Sequence, residues 1–487
     1  MQLRRHWPQL FLALAALAGA RPALAQEFLE GFSVPRSTWS LFASATRDSD
    51  VQHTQNGSSD TIVAAGASGA FFKPEGRLRA NLRGAAQYED YLDNTFRGGV
   101  LGSFTGSAQY AFIPEHFIWS VEDFYGQVAT NTFQAATSAN RTNTNTFSTG
   151  PELMLAFDSV TGARLNARYG VTHYDTGNFD DTRYSGGLGL YRHLSSVTKL
   201  SLNVSSERTK FGSQSGASYD RQDLFGQLET HRARYGVSLD AGVSRLRTDA
   251  GNQSAPLLRL HIYRRLTASW NLNLSANSEY LSSSDLLGEA LATARVVNGV
   301  VVYGGATPGA GLNSALAAAS GASLSRQPVR YQSLRAGLDF ARPRTNFGVS
   351  ASIGRQRYPL AGQSLDLDRK EWSFGASASR RLRPSLRVDA SAYYTRRKFD
   401  QLDESDSDRL GSLALAWTLS RQLSTSLGFR YEERRSEINR IYNYTSKAAY
   451  LSFSYGPRSR GDAPGGSGVP QGPGGGSAPA GAAPRTP

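Results

Sequence analysis

The stretch Ser412-Leu413-Ala414-Leu415-Ala416-Trp417-Thr418-Leu419-Ser420 alternates large apolar residues with small or polar ones at every step. A period of two puts the leucines and Trp417 on one face of an extended strand and the small residues on the other. The same alternation recurs along the chain. Trp270, Leu272, Leu274 and Ala276 alternate with Asn271, Asn273, Ser275 and Asn277; Leu78, Ala80 and Leu82 alternate with Arg77, Arg79, Asn81 and Arg83. Leu423, Leu427 and Phe429 stand against Ser424, Ser426, Gly428 and Arg430. From about Ser37 to Gly456 such runs follow one another, which predicts an all-β chain whose strands each have an apolar and a polar face.

Composition narrows the setting. The 487 residues include no Cys, 39% are hydrophobic, and the formal net charge is +13. Without cysteine there is no disulfide framework, no thiolate metal site and no cysteine nucleophile. Arg4 and Arg5, the apolar run Leu10 to Ala20 and the small residues of Ala23-Leu24-Ala25 read as a signal peptide over 1–25, cleaved before Gln26. Export takes the mature chain away from nucleic acid, so its positive charge points to other partners. After Gln26 no apolar run reaches the roughly 20 residues of a transmembrane helix. A membrane-spanning form must therefore be a closed sheet, in which every backbone polar group is paired.

A sandwich also alternates, so the connections have to decide. Short turns at Phe72-Lys73-Pro74-Glu75-Gly76, Ile113-Pro114-Glu115-His116, Ala341-Arg342-Pro343-Arg344 and Arg383-Pro384 alternate with longer polar segments at Arg47 to Ser59, Asn131 to Asn145, Phe211 to Tyr219, Leu360 to Lys370 and Phe399 to Arg409. Short turns at one end and long loops at the other predict a transmembrane antiparallel up-and-down β-barrel of about 20 strands, within a range of 18–22, in the outer membrane of a Gram-negative bacterium. The count is least certain at Thr61 to Phe72, where both faces are small and apolar. The implied organisation is a signal peptide (1–25), a short periplasmic segment (26–36), the barrel (37–456) and a Gly/Pro-rich disordered periplasmic tail (457–487). The segment 26–36 is too short for a plug domain, which disfavours a TonB-dependent transporter. Aromatics near strand ends (Trp39, Trp119, Trp270, Trp372, Trp417) read either as interfacial girdles or as cross-strand packing residues.

Three stretches carry a family resemblance: Asp60 to Asn94, Phe117-Ile118-Trp119-Ser120-Val121-Glu122-Asp123, and the Asn-rich Asn140 to Asn145 leading into Thr149-Gly150-Pro151. They resemble outer-membrane barrels associated with the PEP-CTERM/exosortase system and exopolysaccharide gene clusters, within the broader class of β-barrel porins. The resemblance implies an envelope component serving polysaccharide pathways, and it implies no catalytic residues. The strand Lys447 to Tyr455 resembles the terminal strand recognised by the outer-membrane assembly machinery, although the 457–487 tail follows it.

Candidate chemistry is sparse. His116, His193 and His231 are expected in short periplasmic turns, His53 in an outer loop, His173 near an outer strand end and His261 within a strand, none with a Ser and an acid at a spacing that would bring them together. No catalytic, cofactor or metal residues are assigned, and the chain is read as not an enzyme. Asp400, Asp403, Glu404, Asp406 and Asp408 either bind calcium or form a solvated outer loop bridged through divalent ions to lipopolysaccharide. Arg77, Arg79, Arg83, Arg164, Arg168, Arg335, Arg387 and Arg430 lie on the polar phase, and a charge on the lipid face near the midplane costs about 2–4 kcal/mol, so they are placed in the lumen. There they either attract anions through a passage or pair with Glu89, Glu122, Glu207, Asp240, Asp339 and Asp389 to stiffen the wall. Asp123 shares the phase of Trp119 and Val121, which predicts a β-bulge or a rim position. Leu281 to Gln327 is too long for its place. It is expected to hold a helix over Asp285 to Arg295 capped by Ser284, a strand over Val296 to Tyr303 and a helical turn over Asn313 to Ala319, and to cover or enter the barrel mouth.

These features predict a passive pore or conduit linked to exopolysaccharide or envelope export, with outer-membrane lipid, lipopolysaccharide, the assembly machinery and a polysaccharide or other anionic solute as partners. A non-conducting scaffold barrel and a barrel enzyme acting on lipid or sugar are the alternatives.

Overall fold

A computed structural model describes residues 36–131, 137–175, 180–212, 218–249, 251–282, 285, 295–297, 300–302, 328–359, 368–438 and 440–457. The signal peptide, most of the 26–36 segment and nearly all of the tail lie outside these residues. The first part of the chain supplies β1 (Arg36–Asp48), β2 (Asp60–Lys73), β3 (Leu78–Tyr91), β4 (Gly99–Ile113), β5 (Phe117–Val128), β6 (Thr142–Ala156) and β7 (Thr161–Tyr174). The middle supplies β8 (Asp181–Ser195), β9 (Thr198–Phe211), β10 (Tyr219–His231), β11 (Tyr235–Thr248), β12 (Gly251–Arg265) and β13 (Trp270–Leu281). Two three-residue strands follow, β14 (Arg295–Val297) and β15 (Val300–Val302). The last part gives β16 (Val329–Arg342), β17 (Thr345–Arg357), β18 (Arg369–Arg383), β19 (Leu386–Phe399), β20 (Ser405–Thr418), β21 (Leu423–Ser436) and β22 (Tyr444–Tyr455).

Every strand but β14 and β15 belongs to one 20-stranded sheet in which sequence neighbours pair antiparallel. The sheet closes because Leu41–Asp48 of β1 also pairs with Ala448–Tyr455 of β22. Closure removes the exposed edges that a sheet of this width would otherwise present. The run Thr61 to Phe72 is a full strand, β2, in continuous register with β1. Among the described residues no helix is long and apolar enough to cross a membrane; the spanning elements are strands.

Connections obey the parity read from the sequence, with one exception. The turn between β11 and β12 is as tight as those of the opposite end although it sits among the long loops, and Gly251, at φ 135°, takes a conformation that L side chains rarely adopt. Several strands run further into the long-loop end than the sequence suggests: β6 begins at Thr142 and β20 at Ser405. Inward ion pairs, such as Arg434 to Asp406 at 2.8 Å, hold these polar extensions in the ladder where apolar alternation has already stopped.

The two faces separate by burial. Leu41, Leu188, Leu202, Val243, Leu334, Phe374, Leu413, Leu427 and Phe453 are exposed, and all lie on one phase of their strands. Most buried serines, threonines and charged residues lie on the other; Glu433, held by Arg409 and Arg435 on the outer phase near the long-loop end, is an exception. Ser40 and Ser68, Ser391 and Ser412, and Ser426 and Ser452 join their hydroxyls across neighbouring strands on that inner phase. An outer surface of exposed leucine and a polar, paired inner surface is a soluble fold turned inside out, and is stable only with lipid outside. Trp39, Trp119, Trp270 and Trp417 lie towards the short-turn end and Trp372 towards the long-loop end. Trp39 packs near Tyr455 at 6.0 Å between ring centroids, and Trp270 near Phe340 at 4.9 Å.

Asp123 needs no bulge. The β4–β5 register runs unbroken through it and shifts only between Ala111 and Ile113, next to the short turn. Its carboxylate instead accepts a 2.7 Å hydrogen bond from Asn145 Nδ2 on β6, so the outward acid is matched by an outward amide.

Candidate functional site

Inside the barrel, arginines and carboxylates pair along the wall. Glu152 on β6 is 3% exposed and receives Arg164 at 2.8 Å and Arg168 at 3.8 Å, both from β7. Arg168 also donates to the backbone carbonyls of Gly150 and Pro151. Arg387 holds Asp389 at 2.8 Å, and Arg430 meets Asp48 at 3.4 Å and Glu432 at 3.0 Å. Of the proposed acidic partners, Glu89 pairs with Arg141, Glu207 with Arg221 and Asp240 with Arg259, so the cations that hold them differ from the eight named arginines. Asp339 accepts from Asn273.

The named arginines therefore divide. Arg164, Arg168, Arg387 and Arg430 are tied to carboxylates. Arg79, Arg83 and Arg335 lie on the inner phase, with Arg83 and Arg335 exposed there, and make no ion pair with a described residue. Arg77 is not on a strand: it sits in the short turn before β3, where Gly76, at φ 94°, breaks the extended run. The acidic run at 400–408 does not converge either. Asp400 goes to Arg355 and Lys370, Asp403 to Lys398, Asp406 to Arg434 and Asp408 to Arg397, because Asp400 and Asp403 lie in the turn before β20 whereas Asp406 and Asp408, on its inner face, each meet an arginine of a neighbouring strand. His193 and His231 lie at strand ends inside β8 and β10 rather than in the turns. Among the described residues no group of three or more His, Asp or Glu could hold a metal ion.

The densest network surrounds the root of the long segment after β13. Ser282 and Asp285 form a reciprocal box: the Ser282 N–H donates to Asp285 Oδ2, and the Asp285 N–H donates to Ser282 Oγ, each at 3.0 Å. Reciprocal bonds of this kind are those of a capping box, with Ser282 in the capping role that the sequence gives to Ser284. Ser284, the rest of the expected 285–295 helix and the 313–319 turn lie outside the described residues. The Asp285 carboxylate points at two lumen arginines, Arg183 of β8 at 2.9 Å and Arg221 of β10 at 3.6 Å. Arg183 also meets Asp181, and Arg221 meets Glu207 and Asp223 while donating to the Tyr280 carbonyl at 2.6 Å. Tyr219, Leu246, Ala255 and Tyr280 form a small apolar cluster.

Beyond this anchor, β14 and β15 pair as an antiparallel hairpin, where the sequence suggested a single strand. The residues between them in sequence are Asn298-Gly299, a strong hairpin signal. Cα atoms of β15 come within 8 Å of β3, although nine barrel strands separate β3 from β13 in the ring order. Among the described residues of this connection, Asp285 is thus fastened to β8 and β10, and β15 lies beside β3, far from β13 in the ring.

Burial alone would push the Asp285 carboxyl up, but Arg183, Arg221 and the Ser282 N–H hold it below the ordinary value of 3.8. A depressed folded pKa means that the anchor is complete above that ordinary value and is lost only as pH falls through the lower, folded one. Conductance through the barrel should therefore stay flat from neutral pH down to the ordinary aspartate value and rise only in stronger acid. A rise already at mildly acidic pH would show that another group fastens the segment.

Fold and lumen together define an all-β transmembrane barrel, and the fold resembles that of Gram-negative outer-membrane proteins. No family model and no curated protein matches the chain. Among solved structures, an FrpB iron transporter from Neisseria meningitidis aligns at TM-score 0.45 and 10% identity over 89% of this chain and 83% of that one. The siderophore receptor PirA from Pseudomonas aeruginosa aligns at 0.42 and 11%, over 86% and 80%. A ferric enterobactin receptor variant from Pseudomonas aeruginosa, in complex with enterobactin, aligns at 0.45 and 10%, over 86% and 81%.

Proposed function

We propose that the chain is a passive outer-membrane conduit for an anionic solute, narrowed by the segment 282–327 and serving exopolysaccharide or envelope export. One observation carries this reading: Asp285 is bound to lumen arginines on β8 and β10 while β15 comes within 8 Å of β3, so described residues of this connection stand at two well-separated sides of a lumen too wide to be filled by wall side chains. Barrels of 16–18 strands already leave an aqueous channel, and 20 strands enclose more. Arg79, Arg83 and Arg335 supply positive potential along the remaining passage, and low-dielectric walls focus it on anions. Transport by this route needs no covalent chemistry, and the reading assigns none to the chain.

Selectivity tests it. Replacing Arg79, Arg83 and Arg335 by Ala should move the reversal potential in a salt gradient towards that of a non-selective pore. Replacing Arg387, whose charge is matched one to one by Asp389 at 2.8 Å, should change it little. Equal shifts from both sets would mean that wall pairing, not free charge, governs the passage. The scaffold reading is favoured by the density of wall ion pairs, and it becomes the better one if the refolded barrel conducts nothing.

A further inference from the structure

The outer face of β17, β18 and β19 carries a second cationic feature that the conduit does not use. Registers place Arg355 directly opposite Lys370, and Lys370 directly opposite Lys398, so three cations stand in a row across three adjacent strands. One step towards the membrane, Trp372 stands opposite Arg396. All are on the phase of Ile353 and Phe374, which are 48% and 54% exposed on the lipid-facing surface, and all lie at the long-loop end. Like charges directly opposite one another in a sheet repel. Asp400 relieves Arg355 and Lys370, and Asp403 relieves Lys398. Arg396 makes no ion pair with a described residue. Between these side chains lies an open groove of about 440 Å³ lined by Trp372, Tyr394, Arg396 and Lys398.

We infer that this groove binds a phosphorylated, acylated glycolipid of the outer leaflet. The argument is one of charge and level. Cations placed just above an apolar belt sit where lipid phosphates lie, and Arg396 with Lys398 offers forked and point-charge donors to one phosphate. Trp372 and Tyr394 are amphipathic rings suited to the interface, able to pack on a sugar face or on the first methylenes of an acyl chain. A zwitterionic headgroup would bring its own cation into an already positive site, whereas a phosphomonoester brings net negative charge and lowers the repulsion along the row.

Native mass spectrometry of the detergent-solubilised full chain tests this with bisphosphorylated lipid A, enzymatically dephosphorylated lipid A and phosphatidylglycerol as probes. Wild-type protein should retain bisphosphorylated lipid A at least tenfold better than either of the others. The double variant Arg396→Gln, Lys398→Gln should lose that preference while remaining heat-modifiable. Arg245→Gln with Arg247→Gln, which removes two outward cations of β11 at the same end, should keep it. Equal retention of dephosphorylated lipid A or of phosphatidylglycerol by wild type overturns the proposal without reference to any variant. So does an equal loss in the β11 variant, and so does complete displacement of lipid A by millimolar inorganic phosphate, which would assign the groove to free phosphate.

Discussion

Replacing residues 283–325 by a short Gly-Ser linker is expected to raise single-channel conductance several-fold while the barrel still assembles. Assembly should survive because the twenty strands close through their own ladders, including the β1–β22 seam, and the deleted residues contribute no strand to that sheet. Conductance should rise because the deletion removes β14, β15 and Asp285, the residues that carry the chain from β13 across to β3. Arg183 and Arg221 then keep Asp181, Glu207 and Asp223 as partners, so the wall is not left with a bare buried cation. Planar-bilayer recording of the refolded protein reads the result. An unchanged conductance in a barrel that remains heat-modifiable would remove the segment from the passage, and with it the proposed gate.

The second large effect is expected at the seam. Only Leu41–Asp48 of β1 meets β22, whereas all of Arg36–Asp48 pairs with β2, so closure rests on the shorter of the two ladders. Asp48, with a side chain 2% exposed, fastens its upper end. It accepts from Ser446 Oγ at 2.6 Å and from Arg430 at 3.4 Å, and Ser49 beside it exchanges backbone and side-chain bonds with Lys447. Asp48→Ala removes one partner of a buried pair and leaves Arg430 with Glu432 alone, a change expected to cost about 3 kcal/mol. Asp48→Asn keeps an acceptor for Ser446 and should cost less. The urea midpoint of the folded barrel should fall in that order with little change in slope. An unshifted midpoint for the alanine variant would mean that the backbone ladder alone holds the seam.

Some of the candidate site was legible in advance. The inner phase of Arg79, Arg83, Arg164, Arg168, Arg335, Arg387 and Arg430 followed from alternation, since a two-residue period fixes which side chains share a face. Arg183, Arg221, Arg397 and Arg434 lie on that same phase at the long-loop end and Arg259 lies on it at mid-strand; alternation alone does not single them out, because carboxylates that gather around them come from other strands and from Asp285. The segment after β13 stood out by length and by its apolar content, but its anchor did not. Asp285 looked like a helix-start residue, and its other role needs Arg183, 102 positions away.

Strand identity, antiparallel order, the approximate number of strands and the end that bears the long loops were determined by sequence alone. Each depends on local periodicity or on connection length, and both are written in consecutive residues. Which arginines remain free, how the acids of 400–408 are shared out and where the ring closes were decided only by tertiary structure. Arg164 is neutralised because register brings Glu152 beside it from β6, while Arg335 stands opposite Ser275 and Ser352 and finds no acid there. Ion pairing falls off within a few ångströms, so a one-residue difference in register decides whether a charge is matched, and no window of sequence contains both partners.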